Sequence, residues 1–222
     1  MAGLLICLVL VLGAPVLSAV VSVRLMTGGK RMIFRAKDSA AKFLNLPADI
    51  KRLLVAHGLT HLDTLQYGSI PFALYGEPPG PPPERHFVVM RTQDKFVSEF
   101  VTTFSEDIAL TTTRGNHAFA LPRRPGAYIQ GFTDLNLEQL WVKHLEGELF
   151  LLDRMKIKVG PANPGGTDHV ARIERVLRLQ GECIKSIPLY WLRSIYWFYW
   201  LRFRMVNKSL AQQHAAGVIN GA

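Results

Sequence analysis

His57 and His61, two histidines four residues apart, have the best spacing in this sequence for holding a metal ion. Residues at i and i+4 share one face of a helix, and Asp63 would add a carboxylate ligand nearby. However, Gly58 between them is typical of a helix end, and no glutamate follows His57 as in H-E-x-x-H zinc sites. The pattern therefore favours ordinary surface or packed histidines, and we predict no metal ligand.

Other chemical motifs are incomplete. Gly28-Gly29-Lys30-Arg31 looks like the end of a phosphate-binding loop, but Arg24 stands where the first glycine belongs, and arginine follows the lysine. The chain has no G-x-S-x-G turn and no G-x-G-x-x-G fingerprint. The sequence therefore predicts no catalytic and no cofactor-binding residue. Arg123 and Arg124, in P-R-R-P-G, predict an exposed basic loop, which is either simply solvated or in contact with an acidic partner or a phosphate headgroup.

Residues 3 to 23 form a run of 21 residues without a charged side chain. A helix of about 20 apolar residues spans the hydrocarbon core of a bilayer, and membrane helices tolerate interruptions such as Gly13 and Pro15. The alternative is a signal peptide cleaved near Ser18 or Ala19, but no basic side chain precedes the run. We therefore predict a transmembrane anchor over residues 1–25.

Basic residues crowd the C-terminal side of that run. Residues 24–53 carry eight basic and two acidic side chains, net +6, and residues 167–208 carry eight and three, net +5. The remainder, with ten against twelve, is net −2. Because cytoplasmic flanks carry the Lys/Arg excess, we predict a single-pass protein with its N-terminus outside and its body in the cytoplasm. Charge beside the two apolar ends favours an anionic membrane surface over a nucleic acid as the partner.

The segment IPLYWLRSIYWFYWLRFRMVNK, residues 187–208, has eight aromatic residues between Ile187 and Arg204. Only sixteen residues separate Lys185 from Arg202, and Arg193 among them would cost about 2.5–3.5 kcal/mol at a bilayer centre. The pattern therefore predicts an amphipathic helix in the membrane interface, with a short or re-entrant insertion and a helix packed in the domain as alternatives. The predicted membrane-interface residues are Tyr190, Trp191, Arg193, Tyr196, Trp197, Tyr199, Trp200, Arg202, Phe203 and Arg204.

The middle of the chain predicts an α+β fold, a small antiparallel sheet with helices packed on one face. Helical patterns cover 36–62, where Pro47 opens a helix and Gly58 ends it, and two later helices, one capped by Asn136 and one running from Thr167 to Gly181. Between them an antiparallel meander is expected, with turns at 105–107 and 114–116. The predicted strands are 70–76, 85–92, 95–104, 108–114, 117–121 and 127–132.

Four parts result: the anchor 1–25, a cytoplasmic α+β domain 26–186 with a proline-rich loop at 77–85, an interfacial helix 187–208, and a flexible tail 209–222. We expect a non-enzymatic module that holds its domain at the membrane for protein or lipid-headgroup interaction, with the bilayer as its first partner. The alternative is a hydrolase or transferase of a membrane-linked substrate that uses His57, His61 or His117. A nucleic-acid binder using the arginines of 172–178 has no motif to support it.

Overall fold

The computed structural model describes residues 13, 16–17, 20, 33–35, 45–78, 83–92, 95–115, 122–160 and 168–219. Outside the described residues lie most of the predicted anchor, the predicted strand 117–121, residues 79–82 of the proline-rich loop, and the side chains of Trp191 and Phe198. Within the described part of the chain, no helix combines the length and the apolar character needed to cross a bilayer.

One seven-stranded sheet organises the described residues, and its strands are ordered as they follow in the chain. Neighbouring strands are antiparallel except β6 and β7, which are parallel. The strands are β1 (Ile33–Arg35), β2 (Thr60–Tyr67), β3 (Ile70–Gly76), β4 (Glu84–Thr92), β5 (Lys95–Thr103), β6 (Ala109–Arg114) and β7 (Ala127–Phe132).

Helices cover both faces of this sheet. They are α1 (Ala48–Ala56), α2 (Leu137–Leu149), α3 (His169–Ser186), α4 (Tyr190–Tyr196) and α5 (Leu210–Ala215). A π-helical turn, Phe150–Arg154, continues α2, and a π turn, Trp197–Leu201, followed by a 3₁₀ turn, Arg202–Arg204, continues α4.

Different sets of side chains pack together on the two faces of the sheet. On one face, Ala73, Phe87 and Phe100 of the sheet pack with Leu53 of α1 and Leu140 of α2. On the opposite face, Leu65 and Phe72 pack with Val170, Ile173 and Leu177 of α3. The expectation of helices on one face is therefore wrong, because alternate residues of β3 and β4 are apolar on both sides.

The α+β class is confirmed, and so are the strands predicted within 70–114 and at 127–132. The helical prediction for 36–62 fails after Ala56, because Gly58 adopts a φ of +62° and the chain continues as β2. The meander is wrong at its end, since β7 pairs with β6 in parallel.

The helix ends confirm one prediction made from local sequence patterns and correct two others. Asn136 caps α2 as predicted, in a capping box with Gln139. Asp168, rather than Thr167, is the N-cap of α3, and Gly181 is buried inside that helix instead of ending it. The predicted flexible tail is corrected as well: α5 lies within it, and Leu210 is fully buried.

Candidate membrane-contacting surface

The aromatic segment 187–208 meets β7, the last strand of the sheet, at its C-terminal end. Val206 forms a parallel bridge with Gly131, and the Asn207 amide donates to the Gly131 carbonyl at 2.7 Å. The side-chain oxygen of Asn207 also accepts from the Thr133 amide at 2.8 Å. These contacts fix the end of the segment against the sheet.

The start of the segment is fixed by a sharp change of direction after α3. Leu189 has a φ of 52°, a left-handed conformation that is unfavourable for a side chain other than glycine. α4 begins at the next residue and passes into the π turn at Trp197. The segment is therefore a continuous helical element attached to the body at both ends.

One side of this element packs on the body. Ser194 is 1% exposed and Met205 is fully buried. Trp197 is half-buried, with the Arg123 guanidinium carbon 5.9 Å from its ring centroid. Since these residues face inward, the opposite side of the element must face away from the domain.

That outward side is apolar and continuous. Its members follow one another at spacings of three, four, four and three residues, which places them on one helical face. Their side chains remain open to solvent: Leu189 62%, Leu192 45%, Tyr196 54%, Trp200 59% and Phe203 57%. We call these five residues the exposed stripe. Tyr196 and Trp200 stack within it, with ring centroids 6.0 Å apart.

The predicted interface residues divide between the two sides. Arg193, Tyr196, Trp200, Phe203 and Arg204 are exposed, whereas Tyr190, Trp197, Tyr199 and Arg202 are half-buried. Sequence reasoning left Leu189 and Leu192 out of the interface set because it weighted aromatic and basic residues. The helical spacing that joins them to Tyr196 was the signal that could have included them.

Arg123 and Arg124 lie inside the fold, which corrects the expectation of an exposed loop. Arg124 is buried and donates to the Asp107 carbonyl at 2.6 Å. Arg123 lies under the aromatic segment, donates to the Gln213 side chain at 3.2 Å, and has its pKa lowered to about 10 by burial. Both arginines connect the body to its C-terminal elements. Their predicted contact with a partner or a headgroup stays a prediction.

The most buried polar cluster lies between α2 and the sheet. His144 is fully buried, with Nε2 2.7 Å from the Thr102 hydroxyl and Nδ1 2.8 Å from the Thr112 hydroxyl. Thr102 donates its only hydroxyl proton to Glu148, so it accepts from His144 Nε2–H. Thr112 then donates to Nδ1 and accepts from Gln130, whose amide lies 2.9 Å away. Every hydrogen bond in the series Gln130–Thr112–His144–Thr102–Glu148 therefore has one donor and one acceptor when His144 is neutral.

Arg85 closes the cluster at the acidic end. Its guanidinium binds Glu148 through two bonds, at 3.0 Å and 2.9 Å, and binds Glu77 at 3.2 Å. Burial opposes the charge of Glu148, but the bonds from His144, Arg85 and Thr102 outweigh it and lower the pKa of Glu148 to about 2. Burial lowers the pKa of His144. Because His144 has no exposed surface, the cluster stabilises the fold rather than binding a substrate.

His57 and His61, the pair considered for a metal site, contact different partners. His57 lies 3.3 Å from Glu138, whereas His61 belongs to β2 and contacts the Thr64 hydroxyl at 2.8 Å. His117 lies outside the described residues. Among the residues that are described, no group of three or more His, Cys, Asp or Glu side chains is arranged to hold a metal ion.

Two of the open cavities on the described surface lie beside C-terminal elements. The cavity of about 420 Å³ beside β7 is lined partly by Lys143, Asn207, Ser209 and Gln212. Lys143 pairs with Glu146 at 2.6 Å, and Ser209 and Gln212 bond each other in the capping box of α5. Its polar side chains are thus engaged by the fold. The other cavity, of about 250 Å³, lies between β1 and α3.

Two of the three arginines of α3, considered for nucleic-acid binding, face acidic residues of the sheet domain. Arg172 pairs with Glu84 at 2.5 Å, and Arg175 pairs with Glu106. These contacts hold α3 on the sheet and offset the positive charge of the helix.

Comparison of the chain with models of known families, with curated proteins and with solved structures gives no match in any of the three.

Proposed function

We propose that this protein is a non-enzymatic, membrane-held module. In this proposal the segment 3–23 anchors the chain in the bilayer, and the exposed stripe lies in the interface of the cytoplasmic leaflet. The α+β domain between them is thereby held at the membrane surface, where it binds a protein or lipid headgroups. The observation that supports this most directly is the exposed stripe.

The stripe has the composition expected of an interfacial contact. Exposed apolar residues scattered singly are ordinary, but contiguous apolar patches mark interaction surfaces. Three of its five members are Tyr196, Trp200 and Phe203, and Trp and Tyr concentrate at headgroup level, where a ring meets both hydrocarbon and water. Leu189 and Leu192 add aliphatic surface of the kind that acyl chains cover. A bilayer therefore fits both parts of the stripe.

The binding free energy of the stripe is sufficient to keep it at the membrane when the proposed anchor acts together with it. Full burial of a large apolar side chain contributes about 1.5–3 kcal/mol, and these side chains still have roughly half of their surface in water. Five of them would contribute several kcal/mol in total, a reversible contact on its own. A membrane anchor in the same chain raises the effective concentration of the stripe at the bilayer to the millimolar range or above. The stripe therefore needs only modest intrinsic affinity to stay docked.

The test measures whether Trp200 enters the acyl region. The full chain is reconstituted in vesicles whose lipids carry bromine on the acyl chains, which quench nearby tryptophans. We expect quenching of the natural protein that falls clearly in Trp200→Phe. The matched control is Trp141→Phe, which removes a buried tryptophan of the domain and should leave the quenched component in place.

Two further variants test the stripe without replacing its tryptophan. Leu192→Glu and Tyr196→Glu place charges on the exposed side, so the fold should tolerate them. Both should reduce the quenching of Trp200. If Trp200 is unquenched in the natural protein, or if neither glutamate variant changes its quenching, the stripe does not contact the bilayer and the proposal fails.

A further inference from the structure

Resting on the proposed function, we infer that the aromatic segment selects bilayers with anionic headgroups, and that Arg193 and Arg204 make this selection. The recognised chemistry is the phosphate or carboxylate of an anionic phospholipid in a membrane surface.

The positive charge of the C-terminal region is concentrated beyond α3. Residues 168–184 carry three arginines and three acidic side chains, so they are neutral. In addition, Arg172 and Arg175 are paired with Glu84 and Glu106 of the sheet domain. Residues 185–208 carry five basic side chains and no acidic one, and no Asp or Glu follows Glu182. Within the C-terminal region, the net positive charge available to an external partner therefore lies on the aromatic segment.

Two arginines of this segment flank the exposed stripe. Arg193 follows Leu192, and Arg204 follows Phe203, so both lie one helical step from the stripe on the same flank. Both are exposed. They are eleven residues apart, about 16 Å along a helix. With the stripe in the acyl region, long arginine side chains on its flank extend to headgroup depth.

The chemistry at that depth favours negative lipids. A guanidinium binds phosphate or carboxylate through two parallel hydrogen bonds and remains charged under all physiological conditions. A zwitterionic headgroup carries its own ammonium, which offsets the attraction. Each basic residue near an anionic surface strengthens binding about five-fold, and salt weakens this effect. A nucleic acid would also attract the arginines, but bases stack on aromatic rings and leave Leu189 and Leu192 uncovered.

The test uses the full chain in vesicles with brominated acyl chains, prepared with and without an anionic phospholipid. We expect stronger quenching of Trp200 in the anionic vesicles, weakened by salt. Arg193→Gln combined with Arg204→Gln should reduce the docking equilibrium in anionic vesicles about 25-fold and change it little in zwitterionic ones. The control combines Arg154→Gln with Lys158→Gln, two exposed basic residues that belong to neither of the basic stretches 24–53 and 167–208. It removes the same charge and should have no effect.

The outcomes separate this inference from the function on which it rests. Equal quenching in both kinds of vesicle, unaffected by the arginine variant, would overturn the lipid selection and leave the membrane contact standing. An equal loss in the control variant would reduce the effect to net charge and also overturn it. Absence of quenching in every vesicle would remove the membrane contact itself. Release of Trp200 from anionic vesicles by a single-stranded RNA would reassign the arginines to nucleic acid.

Discussion

At the level of single residues, the buried polar cluster is the part of the molecule that sequence reasoning could not find. Thr102 is 42 residues from His144 and 46 from Glu148, and Arg85 is 63 residues from Glu148. The i, i+4 relation of His144 and Glu148 was visible, but it carries no information about the strands opposite. Buried polar groups must find partners, so such a cluster determines how α2 sits on the sheet.

Glu148→Gln tests the strength of that cluster. It leaves Arg85 without its main charged partner, so we expect a loss of about 3 kcal/mol in the free energy of unfolding near neutral pH. The pKa of Glu148 is about 2 when folded, below its ordinary value of 4.5, so its stabilisation is present above pH 4.5 and is lost as the pH falls toward 2. In urea unfolding, the free energy of unfolding of the natural protein should therefore fall as the pH is lowered over this range. The free energy of unfolding of the variant should depend less on pH.

His144 acts in the same direction at higher pH. Burial lowers its pKa, so the stability associated with its neutral form is complete above its ordinary value of 6.5 and decreases as the pH falls below it.

The matched control for Glu148→Gln is Glu146→Gln, a substitution of an exposed residue on the same helix, which should change the free energy of unfolding by less than about 1 kcal/mol. An effect of Glu148→Gln as small as that of the control would show that the cluster is dispensable.

At the level of elements, the sequence was informative where the hydrophobic pattern and the tertiary structure agree. β3 to β6 have apolar alternation, and α2 has a complete capping box, so these elements were predictable. β2 begins with Thr60 and His61 and buries only Thr64 and Leu65, which leaves no clear period of two. Gly181 was read as a helix end, but packing of α3 on the body outweighs the roughly 1 kcal/mol that an internal glycine costs.

The C-terminal elements give a direct comparison between a core leucine and a stripe leucine. Leu210 of α5 is fully buried, whereas Leu192 of α4 is 45% exposed and faces outward. Leu210→Ala should lower the free energy of unfolding by about 2–5 kcal/mol, and Leu192→Ala by less than about 1 kcal/mol. Chemical denaturation of the two variants measures this difference.

The same pair of variants should reverse its order in membrane docking. Leu192→Ala should weaken quenching of Trp200 by brominated lipid, because the stripe loses apolar surface, whereas folded Leu210→Ala protein should dock normally. Equal stability of the two variants would mean that α5 does not pack on the domain. This comparison is sharper than deleting 187–222, because that deletion also removes Met205, Leu210 and Gln213 from the core.

At the level of the whole molecule, the proposed anchor and the exposed stripe connect to opposite edges of the sheet. β1 follows the proposed anchor segment in the chain, and the C-terminal end of the aromatic segment bridges to β7 at the other edge. Six strand spacings make this width about 29 Å. The nine residues 24–32 can reach at most about 30 Å. Anchor and stripe can therefore contact one bilayer together, and two contacts this far apart would limit how the domain tilts.

The proposed orientation of the whole molecule rests on its basic flank and can be tested by a topology experiment. A compartment-sensitive reporter placed after Gly160, before Asp168, should report the cytoplasm, because the Lys/Arg excess on the C-terminal side of residues 3–23 opposes translocation. The intact mass of the purified protein should include the N-terminal segment. An external reporter, or loss of the residues up to Ser18 or Ala19, would show an exported protein. The stripe and its arginines would then face a different membrane surface, where anionic lipid is scarcer, and selection for it would lose its physical basis.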